Sequence, residues 1–158
     1  MLRPARLAAL VAAVVTTAAI AAAPASAGTT AITISGCTLN ASSTGTPPAN
    51  VIVSPTSGSC TVSGIAGTAR TSGNTTLTTQ PDSSVTADTI NVTLSATILI
   101  FVRVTCSYAA SNVNVPLVAA GPPTWRYHTD SATATKTSGP DQYCDPTVTG
   151  PVDIAVTP

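Results

Sequence analysis

Ile90 to Tyr108 reads INVTLSATILIFVRVTCSY, and this stretch decides the fold. Ile90, Val92, Leu94, Ala96, Ile98, Ile100, Val102, Val104, Cys106 and Tyr108 take the even positions, while Asn91, Thr93, Ser95, Thr97, Arg103, Thr105 and Ser107 stand between them. A period of two is the mark of a strand with one face buried. Nineteen residues at about 3.3 Å each would extend roughly 60 Å, too far for one strand of a small domain. The stretch therefore predicts two strands in one phase, bent or turned near Ser95-Ala96-Thr97. Leu99 and Phe101 interrupt the polar side and predict a segment covered on both faces. It is not a membrane span. The apolar run from Ile98 to Val102 is far short of the roughly 20 residues a helix needs to cross, and Arg103 ends it.

The same grammar extends in both directions. Ala31 to Leu39 reads as a strand with Gly36 marking a bulge, and Asn40 to Asn50 as a loop rich in Ser, Thr, Gly and Pro. Val51-Ile52-Val53 is a short strand stopped by Pro55, and Cys60-Thr61-Val62 begins another. Ser72-Gly73-Asn74 turns into Thr75–Thr79, and Pro81-Asp82-Ser83 makes the next turn. Beyond Tyr108, Val113, Val115 and Leu117 alternate, Pro116 suggests an edge, and Gly121-Pro122-Pro123 turns into Trp125. Ser138-Gly139-Pro140-Asp141 delivers Cys144, and Val148, Val152, Ile154 and Val156 share its even phase in a last strand. Nowhere is there a helical period. The expectation is an all-β, disulfide-stapled β-sandwich of the Ig-like or Greek-key type, with eight or nine short strands.

Composition supports this. Arg3 and Arg6, an apolar run from Leu7 to Ile20, and Ala25-Ser26-Ala27 form a secretory signal peptide over residues 1–27, leaving one domain over 28–158. That domain holds Arg70, Arg103, Arg126 and Lys136 against six aspartates, a formal charge of −2, and no glutamate occurs anywhere. A basic nucleic-acid surface and a salt-bridge-laced helix are both excluded by that balance. Of the 27 Leu, Ile, Val and Phe residues after the leader, 21 are Val or Ile, and 27 threonines accompany them. β-branched side chains suit a pleated surface, apolar on one side and solvated on the other.

Cys37, Cys60, Cys106 and Cys144 all lie in the exported part. An even number in an oxidising compartment predicts two disulfides and no metal site, and spacing alone leaves three connectivities open. The motifs around these cysteines carry a resemblance. Ser35-Gly36-Cys37-Thr38, Thr105-Cys106-Ser107-Tyr108 and Tyr143-Cys144-Asp145-Pro146 resemble a family of small secreted actinobacterial β-rich proteins with two cysteine pairs. That family has no assigned activity, so it implies no functional residue. It does imply the pairing Cys37–Cys60 and Cys106–Cys144, because its motifs come as an early and a late pair. Cys106 and Cys144 also stand in phase with apolar neighbours, so both are expected to point into the core.

Catalytic side chains are scarce. His128 is the sole histidine, with Asp130 and Ser131 close in sequence but no G-x-S-x-G elbow. The six aspartates are dispersed, several within turn sequences, and neither a calcium loop nor a paired-carboxylate glycosidase site is spelled out. Trp125-Arg126-Tyr127-His128 is the one dense group of recognition-type side chains. If extended, Trp125 and Tyr127 face one way and Arg126 and His128 the other. The aromatics then close one end of a core poor in aromatics, or else stack on a sugar while Arg126 holds an anionic group. The functional expectation is a secreted, non-enzymatic protein without cofactor, free in the medium or loosely held at the cell wall. Its partner would be an extracellular protein, glycan or small molecule, with no nucleic acid and no membrane span. The alternatives are a small hydrolase using His128 and a secreted protease inhibitor.

Overall fold

The computed structural model describes residues 27–34, 36–62, 65–98 and 102–158. Eleven strands occupy them: β1 (Ala27–Ile34), β2 (Cys37–Thr44), β3 (Val51–Val53), β4 (Ser57–Val62), β5 (Ile65–Ser72), β6 (Thr75–Thr79), β7 (Val85–Ile98), β8 (Val102–Val115), β9 (Leu117–Ala119), β10 (Trp125–Ser138) and β11 (Thr147–Thr157). The signal-peptide reading, together with Leu99 and Phe101, lies outside the described residues apart from Ala27, where β1 begins.

All pairings are antiparallel, and the order β1-β11-β10-β8-β7-β5-β4-β2 is closed by the pairing of β2 with β1. Successive members of this ring follow chain order, in four hairpins: β1–β2, β4–β5, β7–β8 and β10–β11. The strand ends that each hairpin joins all lie at one end, here called the upper end. At the lower end the short strands β3 and β6 bridge β2 to β7, and β9 pairs with β10. The all-β, disulfide-stapled class is as expected. Its connectivity is an up-and-down ring of one sheet rather than a Greek key, and the strands number eleven rather than eight or nine.

The central stretch forms the longest hairpin. β7 and β8 hold one register from Val85↔Val115 to Ile98↔Val102, so even residues oppose even residues and the shared phase survives the turn. The break falls after Ile98, not at Ser95-Ala96-Thr97, which lie within β7 and pair with Thr105, Val104 and Arg103. The length of the stretch suggests a bend there, but Thr and Ser face outward and pair across the strands. Thr93 Oγ1 meets Ser107 Oγ at 3.1 Å, and Ser95 Oγ meets Thr105 Oγ1 at 3.1 Å. Near the N-terminus the reading also shifts. Ala31 to Leu39 is not one bulged strand but the turn of the β1–β2 hairpin, where Gly36 takes φ +85°, a conformation glycine adopts without strain. β2 then runs through Thr44, inside the stretch expected to be loop.

Inward positions build the core: Leu39, Leu77, Val85, Val115, Tyr127, Ile154 and Val156 are almost wholly buried. Cys37 and Cys60 belong to this core, oppose each other as the ladder pair between β2 and β4, and are bridged, with Cα atoms 4.2 Å apart. Cys106 and Cys144 form the second bridge, Cα–Cα 5.7 Å, so both pairs follow the expected pairing. Their setting differs from expectation, because Cys144 sits in the turn before β11 rather than on that strand, and Cys106 is only half-buried. The sulfur of Cys144 is nonetheless enclosed. Gly139, at φ +121°, passes so close that an added Cβ would lie 2.6 Å from Cys144 Sγ and 2.8 Å from the Thr105 carbonyl oxygen.

Candidate functional site: an apolar hollow inside the ring

β10 changes face midway. Trp125, Tyr127 and Thr129 point inward and pair with Val156, Ile154 and Val152, while beyond them Ala132 pairs with Gly150 and Ala134 with Val148. The extra residue lies in a bulge at Asp130-Ser131, opposite Pro151, whose nitrogen carries no hydrogen for a ladder bond. Below the bulge the inward side chains are large, and above it Ala132, Ala134 and Gly150 stand with only Val148 as a larger member, and Ala110 of β8 is nearby. Four small residues on one wall leave space that Leu39, Ile90 and Val92 on the other wall do not fill.

That space is a cavity of about 120 Å³ whose walls carry no charged side chain. Towards the upper end it adjoins a second hollow of about 270 Å³, and Leu94, Tyr108 and Val148 line both. The upper hollow is rimmed by Ile65, Ile98, Tyr143 and Asp145, and Tyr143 is 46% exposed. Together they make an apolar interior with a more polar mouth at the hairpin end of the ring. The phenol of Tyr108, at their junction, has its pKa pushed up first by burial and then by the charge of Asp145, with Lys136 opposing. Sequence reading did not anticipate this hollow. Its trace is the Ala132-Thr133-Ala134-Thr135 run, a strand alternation whose inward members are too small to fill a core.

The group expected from sequence is placed differently. Tyr127 is a core residue, 2% exposed, and Trp125 packs against the same core. The two aromatics close one end of the core, and no stacking platform faces solvent. Arg126 is exposed and His128 half-buried on the outward face, in a shallow groove with Thr33, Val118 and Asp153. His128 Nδ1 lies 2.7 Å from Asp153 Oδ1, its partner across β11, and Nε2 lies 3.0 Å from Asp130 Oδ1 in the bulge. These hydrogen bonds, that to Asp130 first, raise the imidazole pKa above its ordinary value. Both ring nitrogens are thus engaged by carboxylates, and neither is aimed at a hydroxyl that it could deprotonate. Ser131, its neighbour in sequence, is not among its partners.

Among the described residues no group of three His, Cys, Asp or Glu is arranged to hold a metal ion, and no helix is long and apolar enough to cross a membrane. Compared with known protein families, curated proteins and solved structures, the chain matches none.

Proposed function

We propose that this is a secreted, non-enzymatic binding protein that holds a small apolar molecule inside its strand ring. The observation that carries the reading is the uncharged cavity bounded by Leu94, Tyr108 and Val148, residues that also line the hollow adjoining it at one end. An apolar enclosure with a few polar groups at its opening is the general form of a small-molecule site. Two disulfides are compatible with an extracellular setting. Outward positions such as Thr93, Ser95, Thr105 and Ser107 suit contact with water, the inverse of a lipid-facing barrel. The engagement of both ring nitrogens of His128 speaks against the hydrolase alternative.

Native mass spectrometry of the mature protein from culture medium tests the reading. A mass excess released under denaturing conditions, and absent from an Ala134→Leu variant that fills the cavity, is the expected result. Turnover of esters, peptides or glycosides that disappears in His128→Ala would overturn it.

A further inference from the structure

The two adjoining hollows carry more information than their apolar walls. Across both, the one charged side chain among the described residues is Asp145. It is exposed, it follows the bridged Cys144 directly, and it joins no ion pair among the described residues. Lys136, whose charge opposes that of Asp145 at the Tyr108 phenol, pairs with Tyr108 across the β8–β10 ladder. Lys136 is occupied elsewhere: its Nζ donates to the Asp141 carboxylate and, at 3.2 Å, to the Cys144 carbonyl oxygen. In turn it holds the Asp141 carboxyl below its ordinary pKa. The mouth therefore presents one uncompensated negative charge above an uncharged interior.

We infer that the ligand is a small amine, with an aryl or compact hydrocarbon group seated in the hollow and a protonated nitrogen held at the mouth by Asp145. This rests on the binding reading above and names the ligand's chemistry. The size is set by the inner cavity. A cavity of about 150 Å³ is known to accept benzene, so about 120 Å³ suits a single ring or a short branched chain and not a long acyl tail. The charge is set by Asp145. A cationic head gains at the mouth, and a carboxylate or phosphate head meets a like charge. Tyr143 and Tyr108 line the same hollow as Asp145, so aromatic rings stand beside the proposed cation and its hydrocarbon body.

Titration of the mature protein with phenethylamine, ethylbenzene and 3-phenylpropionate tests this, since the three share a ring and differ in charge. Phenethylamine is expected to bind about two- to fivefold more tightly than ethylbenzene, the range for one exposed ion pair. That advantage should shrink as salt is added, and 3-phenylpropionate should bind worst. Asp145→Asn should erase the advantage and leave ethylbenzene unchanged, with Trp125 fluorescence verifying the fold. Ala134→Leu should lose all three. If the amine and the acid bind like ethylbenzene, or Asp145→Asn changes nothing, the amine inference is wrong while the binding cavity stands. If none of the three binds, both readings fail.

Discussion

Replacing each disulfide by two alanines should not have equal effects, and the structure reverses the order that loop length alone suggests. The bridges span sequence separations of 23 and 38 residues. In the loop-entropy picture, closures of that length contribute about 3.4 and 3.9 kcal/mol, a lead of about 0.4 kcal/mol for Cys106–Cys144. Burial works the other way. Cys37 and Cys60 are 4% and 6% exposed inside the main core, so removing two sulfurs there costs about 1 kcal/mol each in lost burial and unfilled space. Cys144 is as enclosed, but Cys106 is half-buried and neither belongs to that core, so about 1 kcal/mol covers the later pair. Cys37↔Cys60 is also the ladder pair through which β2 meets β4, so losing that bridge loosens the ring where the ladder is thinnest. The early double variant should lose roughly 5.4 kcal/mol and the late one roughly 4.9, each a large part of the 5 to 15 kcal/mol typical of a domain. Urea unfolding followed by the fluorescence of Trp125 measures both. Should Cys106→Ala/Cys144→Ala prove the less stable of the two, the claim that core position outweighs loop length is refuted.

Two further effects follow from single residues. Thr30 is fully buried in β1, and its Oγ1 has no hydrogen-bond partner, so Thr30→Val should keep the shape, remove the stranded hydroxyl and raise stability by about 1 kcal/mol in the same urea assay. His128 has a folded-state pKa raised above the reference 6.5 by its bonds to Asp130 and Asp153. Its stabilising effect is therefore complete below the unfolded pKa and is lost as pH rises through the folded one. Urea midpoints of the protein should fall across that interval more steeply than those of His128→Asn, and parallel curves would contradict the assignment.

Side-chain periodicity made the class and the inward face legible before any coordinates, because closing a sheet buries one face and leaves a period of two in every long strand. The even phase of residues 90–98 and 102–108, and of Val148 to Val156, holds in the structure for that reason. Turn positions were less legible where one residue type serves two purposes. Gly36 fits a bulge as well as a hairpin turn, and only its pairing context, Ile34 against Cys37, separates them. Length alone places a bend near Ser95-Ala96-Thr97, whereas these residues are the outward and inward members of a strand longer than a small sandwich would hold. Cys144 kept its phase with β11 by coincidence, since the strand begins only at Thr147.

The hollow was hidden for a different reason: it belongs to the ring and to no single strand. Eight strands enclose an interior that side chains just fill, or that holds one small ligand. Which outcome applies depends on the side chains that closure brings together at one level. Ala132 and Ala134 reach that level because the bulge at Asp130-Ser131 changes the face of β10. Gly150 arrives through its pairing with Ala132, and Ala110 through the continuation of β8 beyond Tyr108. None of these small residues stands out in its own strand, and Leu94, Tyr108 and Val148 lie between the space and the mouth. The bulge thus has two consequences from one inserted residue. On the outside it presents Asp130 to His128, and on the inside it replaces the large residues of the lower core by alanines. A core packed for stability alone would use Val or Leu at those positions, as the lower half of the same ring does with Tyr127, Ile154 and Val156. The proposed ligand accounts for that space, which the demands of folding alone would close.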